Sequence, residues 1–232
     1  MTRPGQGQRR KDMDRLFFTL AGAALMFVVL MPAYLMLRDG PHNALALACK
    51  GGCTLVAAAL GAAGAFLGGA GAPGGWWLAA GLVLCAAADV VLSIRFVGGM
   101  GIFLLGHLCY IAAFLRAAPL TLWSIPLFFL MASAVFLLFR RQIPAMKDRL
   151  VPFCVYAAVL LAMLALALPL PFSLGWPGGL AAAGAALFVL SDLLLARNLL
   201  AGATRFSDVF SLACYYTGQL LLASSVFLLP LF

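Results

Sequence analysis

Eight apolar runs, each long enough to cross a bilayer, limit this chain more than any other feature. They cover residues 16–37, 44–66, 76–94, 98–115, 120–139, 151–168, 178–200 and 208–230. A hydrocarbon core of about 30 Å takes about 20 helical residues. Backbone groups inside it must bond within their own segment, so each run reads as a helix. With 65% apolar and 9% charged residues in 232, a soluble domain could not hide this much hydrocarbon. The expected fold is therefore all-α: a compact polytopic bundle of eight transmembrane helices over 16–232 behind a basic tail, 1–15. No cleavage site follows the first run, which reads as a spanning helix rather than a leader.

The net charge of +8 does not imply a nucleic-acid partner. The basic residues stand at the ends of the runs, where they meet phospholipid headgroups and set topology. The cluster Arg3, Arg9, Arg10, Lys11 and Arg15 favours both termini in the cytoplasm, here of a bacterial inner membrane. The loops after odd-numbered runs carry more basic residues, which argues the other way. All six cysteines fall inside runs without a C-x-x-C spacing and read as small packing residues.

All seven acidic residues are aspartates, and two of them, Asp89 and Asp192, interrupt membrane-length apolar sequence. A carboxylate at that depth is expensive unless protonated, paired or hydrated, so such a residue is a functional candidate by default. Lys50 is a third intramembrane charge, able to snorkel, to pair with a carboxylate or to hold a lipid phosphate. Counted from the face formed by the odd-numbered loops, Lys50, Asp89, His107, Asp192, Tyr215 and Tyr216 lie about 8–15 Å deep at about 1.5 Å per residue. Gln219 lies slightly deeper. His107 with Tyr110, and Ser211 with Tyr215 and Gln219, repeat at helical spacing and so share faces. One polar level in one leaflet points to a pocket open towards that loop face.

Two helix pairs are alike. Asp89 is followed by VVLSIR, a turn and IFLLGHLCYIAAFLR; Asp192 is followed by LLLAR, a turn and VFSLACYYTGQLLLA. The similarity leaves open a duplication into two parallel four-helix repeats.

Two histidines, His42 and His107, cannot assemble a three-histidine zinc site, and no local spacing supports a mixed His107/Asp89/Asp192 site. No G-x-S-x-G occurs, and Ser191 reads as a hydroxyl bonded to its own helix. What remains is a carboxylate pair, which can divide into acid and base for a reaction through an oxocarbenium ion. Proton-coupled or lipid transport would use the same pair, and a non-catalytic lipid-binding protein is a further alternative.

The sequence resembles the YhhN-type lysoplasmalogenase family from about residue 44 to 228. The likeness rests on LACKGGCTLV, CAAADVVLS, FLLGHLCYIAAF, LFVLSDLLLARN and LACYYTGQLLLAS in that order. Many members have Gly where this chain has Ala88, and Lys-Pro where it has Lys50-Gly51. The resemblance implies an eight-helix bundle that hydrolyses the vinyl-ether bond of a lysophospholipid to a fatty aldehyde and a glycerophospho-headgroup, with no cofactor and no metal. It implicates Asp89 and Asp192 as the catalytic pair; which of the two gives the proton stays open, with Asp192 favoured as the acid because it lies in the longer apolar run. Lys50, His107, Tyr110, Ser191, Tyr215, Tyr216 and Gln219 would bind or tune. Beside the resemblance, the position of Arg95, Arg197 and Arg205 at the odd-loop face places them where a headgroup would sit.

Overall fold

The computed structural model describes residues 6–40, 43–67 and 73–228, so His42 lies outside the described residues. Every regular element in it is helical. The first rod is α1 (Gln6–Ala24), a π-helical stretch (Leu25–Leu30) and α2 (Met31–Leu37). The amide of Met31 bonds to the carbonyl of Met26, five residues back, which is the wide-turn pattern. Pro32 explains its place: it has no N–H to offer the carbonyl four residues before it, so the ladder loosens there. α3 is Asn43–Leu67, α4 Pro73–Ile94, α5 Phe96–Ala117 and α6 Ser124–Phe139. A short α7 (Ile143–Met146) and a 3-10 turn (Lys147–Arg149) lead into α8 (Leu150–Ala167). α9 (Leu170–Leu174), α10 (Trp176–Ala201) and α11 (Arg205–Phe227) complete the chain.

Eight rods are thus found, and seven are long and apolar enough to cross a membrane. The exception is α6, with 16 residues, or about 24 Å at the usual helical rise. The run 120–139 suggested a longer helix. The first residues of that run instead form a turn, in which the amide of Ser124 bonds to the carbonyl of Thr121 at 3.1 Å. The outer surface is apolar, with Phe172 93% and Leu122 86% exposed, as lipid-facing side chains should be. The protein is an integral, multi-pass membrane protein.

Two tight hairpins dominate the interior, α4 with α5 and α10 with α11; α3 packs between α4 and α11. The first rod lies outside α3, and α8 packs against α5, α6 and α10. Glycine sets how close the hairpins come. A Cβ on Gly106 would sit 3.3 Å from the carbonyl oxygen of Gly81, and one on Gly184 would sit 2.8 Å from that of Gly218. Without a solvent-driven hydrophobic force between helices, such backbone approach supplies the packing. Gly81 precedes Asp89 by eight residues, and Gly184 precedes Asp192 by eight. Across each hairpin, Gly106 is followed by His107 and Gly218 by Gln219. The likeness of the two helix pairs in sequence therefore extends to their contact points.

The turns are cut short by local chemistry. A single residue, Arg95, separates α4 from α5. α10 ends where Gly202 adopts a φ of 91°, a conformation that suits a residue without Cβ. Thr204 caps α11 by accepting from the Ser207 amide, and Ser207 caps the Thr204 amide in return. The short links hold Arg95, Arg197 and Arg205 at the same face of the bundle.

Candidate functional site

The polar level inferred from depth divides into two centres separated by aromatic rings. The first is built on α3, α4 and α11. Asp89 is 2% exposed, and its Oδ2 accepts from Thr54 Oγ1 at 2.5 Å and from the Tyr215 hydroxyl at 2.9 Å. Lys50, one turn before Thr54, is also buried and does not snorkel. Its Nζ donates to Ser93 Oγ at 2.9 Å, and Ser93 in turn donates to the carbonyl of Asp89 at 3.2 Å. The ammonium thus reaches the helix of Asp89 through a hydroxyl. Tyr216 donates to the Lys50 carbonyl at 3.3 Å, which holds α11 against α3.

The second centre lies on α5, α8 and α10. The Tyr156 hydroxyl donates to Asp192 Oδ2 at 2.5 Å and stands 3.0 Å from His107 Nε2; that nitrogen is 3.8 Å from Asp192 itself. With the Tyr156 hydrogen directed to the carboxylate, its oxygen can accept from His107 Nε2–H; with the proton on Asp192 the two bonds reverse and Nε2 accepts. His107 is fully buried, with Phe188 edge-on to its ring at 4.7 Å between centroids. Its Nδ1 has no protein hydrogen-bond partner, so one ring nitrogen stays uncommitted.

Phe103 and Phe188 form the wall between the centres. Each stands edge-on to Tyr215, at 5.8 and 5.2 Å, while Phe188 also contacts His107. Asp89 and Asp192 share no hydrogen-bond partner.

The other expected residues join helices. Tyr110 donates to Gln219 Oε1 at 2.8 Å and lies 3.5 Å from Cys85 Sγ, tying α4, α5 and α11 together. Ser191 points away from Asp192, towards Ser211, whose hydroxyl donates to the Ser191 carbonyl at 2.9 Å. Arg95, Arg197 and Arg205 are exposed at the loop face.

A cavity of about 310 Å³ lies beside the second centre, between α5, α6, α8 and α10. This is at the lower end of the range of about 300–1,000 Å³ for ligand pockets. It runs inward from the loop face, where Phe96, Phe139 and Leu150 border it, to Phe103, Tyr156 and Asp192. Asp192 is the one carboxylate on its wall, and nearly all the rest is hydrocarbon. Phe136, Cys154 and Leu199 border it and are also exposed on the outer surface. Asp89, Lys50, Tyr110, Tyr216 and Gln219 do not line it. Among the described residues no group of three potential metal ligands forms.

Tyr156 was not among the sequence candidates. It stands alone in VPFCVYAAVLLAML, with no polar neighbour on its own helix to mark it. Its partners come from α5 and α10, and only the packing of α8 brings the three together.

These features define a polytopic membrane protein with an apolar cavity and a carboxylate at its inner end. The chain belongs to the YhhN family, whose model matches residues 45–226. It is 32% identical over 167 residues to lysoplasmalogenase TMEM86B of Rattus norvegicus, covering 68% of this chain and 66% of that one. It is 31% identical over 153 residues to lysoplasmalogenase TMEM86B of Homo sapiens, covering 65% of this chain and 63% of that one. The chain therefore spans slightly less than two thirds of the curated relatives it matches. No solved structure matches it.

Proposed function

We propose that this protein is a lysoplasmalogenase-like hydrolase, cleaving the vinyl-ether bond of a single-chain phospholipid to a fatty aldehyde and a glycerophospho-alcohol. The observation that carries this reading is the apolar cavity with Asp192 at its inner end, bordered by residues that are also exposed on the outer surface. The names of the two relatives point to the same substrate. The hydrocarbon chain would enter between helices past Phe136, Cys154 and Leu199, leaving the headgroup at the loop face. The basic tail supports both termini on the cytoplasmic side, and a bacterial inner membrane is the proposed location.

Asp192, protonated, gives its proton to the vinyl carbon remote from the ether oxygen, leaving an oxocarbenium ion at the adjacent carbon. Water adds to that carbon and releases a proton to the Asp192 carboxylate, so the acid is regenerated. The hemiacetal hydroxyl then passes its proton to the ether oxygen as the carbon–oxygen bond breaks, freeing aldehyde and alcohol. One water is consumed and no cofactor is required. Tyr156 and His107 set the direction of the proton: the Tyr156 hydroxyl can give to Asp192 or accept from it, with His107 donating or accepting at Nε2. Asp89, with Lys50 beside it, acts behind the Phe103/Phe188 wall as a fixed charge that favours the cation. Tyr215 and Thr54 hold that carboxylate.

The test is release of aldehyde from a lysoplasmalogen by purified protein, beside release of fatty acid from an ordinary ester lysophospholipid. Aldehyde without fatty acid supports vinyl-ether chemistry. Fatty acid without aldehyde, or neither product, overturns it.

A further inference from the structure

The loop face above the cavity carries cations that the catalytic scheme leaves unused. Five of them each adjoin, in sequence, a residue that borders the cavity: Arg95 precedes Phe96, Arg140 follows Phe139, Lys147 follows Met146, Arg149 precedes Leu150 and Arg197 follows Ala196. Adjacent Cα atoms are about 3.8 Å apart, so these residues collar the mouth. They come from the α4–α5 turn, the α6–α8 connection and the end of α10. All five are exposed. Among the described residues, the ion pairs on this face engage Arg38, with Asp39 and Asp208.

The α6–α8 connection is built for the position. Ile143 and Met146 turn into the cavity, while Arg140, Lys147 and Arg149 remain outside. Lys147 has φ 45° and ψ −124°, the one non-glycine residue with positive φ among those described. That region is ordinarily left to glycine, so a lysine there holds the backbone under strain.

We infer that Arg140, Lys147 and Arg149, with Arg95 and Arg197, form a binding site for the phosphate of a single-chain phospholipid whose hydrocarbon fills the cavity. The site rests on the lipid-hydrolase reading and adds to it the part of the substrate that selects it: an anionic phosphate, read by guanidinium and ammonium groups at headgroup level. Arg205 starts α11, which contributes nothing to the cavity wall, so it stands apart from the collar. A neutral alkenylglycerol with the same chain fits the cavity and lacks the feature the collar holds.

The test uses full-length protein in nanodiscs of zwitterionic lipid and a saturated alkyl-ether lysophosphocholine, which has no vinyl bond to cleave. Binding is thereby read independently of turnover. The variant Arg140→Gln/Lys147→Gln/Arg149→Gln should weaken its affinity by about tenfold or more and leave the affinity for neutral 1-alkylglycerol unchanged, which also certifies folding. Lys147→Gly should raise the melting temperature by releasing the strained backbone and still weaken binding of the phospholipid. Equal loss for both lipids, or loss for neither, would overturn the phosphate site. Inorganic phosphate that competes as strongly as the phospholipid would make this a free-phosphate site and overturn the lipid assignment. Charge-dependent binding with no aldehyde from the vinyl-ether counterpart leaves the site standing and removes the hydrolase.

Discussion

The Tyr156 hydroxyl donates to Asp192 at 2.5 Å inside an otherwise hydrocarbon-lined cavity, and His107 backs the phenol from the other side at 3.0 Å. Three helices that are distant in sequence thus place one carboxylate, one hydroxyl and one imidazole where a proton can move among them.

Tyr156→Phe keeps the ring and removes the link between Asp192 and His107. A hydrogen bond to a charged group contributes about 1.5–3 kcal/mol, which corresponds to about 10–160-fold in turnover. Aldehyde release should fall by that factor, and its pH–rate profile should shift, since the hydroxyl that couples Asp192 to His107 is gone. A lower rate with the same profile would reduce Tyr156 to packing.

The two aspartates should differ. A general acid commonly contributes about 10²–10⁴-fold, so Asp192→Asn should abolish nearly all aldehyde release. Asp89→Asn keeps an oxygen that can accept from Thr54 and Tyr215 and loses only charge, so the expected loss is about tenfold. Paired kinetics on folded protein decide this, and equal losses would mean that both carboxylates contact the reacting atoms.

Isotopic water gives a test free of mutation. In D2O with the aldehyde trapped by reduction as it forms, one deuterium should appear on the carbon next to the aldehyde carbon, because that is where the acid delivers its proton. Turnover should also slow severalfold, since proton transfer to carbon starts the reaction. Mass spectra without deuterium there would eliminate the carbon-protonation route.

Glycine substitutions should separate contact from conformation. A side chain at Gly184 meets the Gly218 carbonyl at 2.8 Å, so Gly184→Val should cost about 1–3 kcal/mol as overpacking. Nothing lies within 4 Å of a Cβ at Gly179 in the same helix, and Gly179→Ala should gain about 0.5–1 kcal/mol. Thermal unfolding in detergent reads both, and matching shifts would refute the close-approach account.

The number of rods, the depth of the charged residues and the likeness of the two hairpins were all legible from apolar run length and helical counting. Lateral arrangement was not. Depth alone put Asp89 and Asp192 at one level, but the direction of a side chain around its helix depends on which neighbour packs where, and Phe103 and Phe188 stand between their centres. Tyr216 and Gln219 looked like residues that hold substrate, because sequence cannot distinguish a polar group facing a cavity from one facing another helix. Tyr156 was hidden for the opposite reason: its partners arrive entirely through tertiary packing. α6 came out shorter than its apolar run because hydropathy does not register the turn at Thr121–Ser124.

The glycine contacts at equal distances before Asp89 and Asp192 fix phase as well as height. Each helix is pinned where its glycine meets the partner backbone, and eight residues later the carboxylate points in a direction set by that pivot. Adding or deleting one residue in either interval would swing the aspartate by about 100° and move it about 1.5 Å along the axis. Over evolutionary time these two intervals should therefore accept exchanges of side chain, including changes of chemistry, while remaining closed to insertions and deletions.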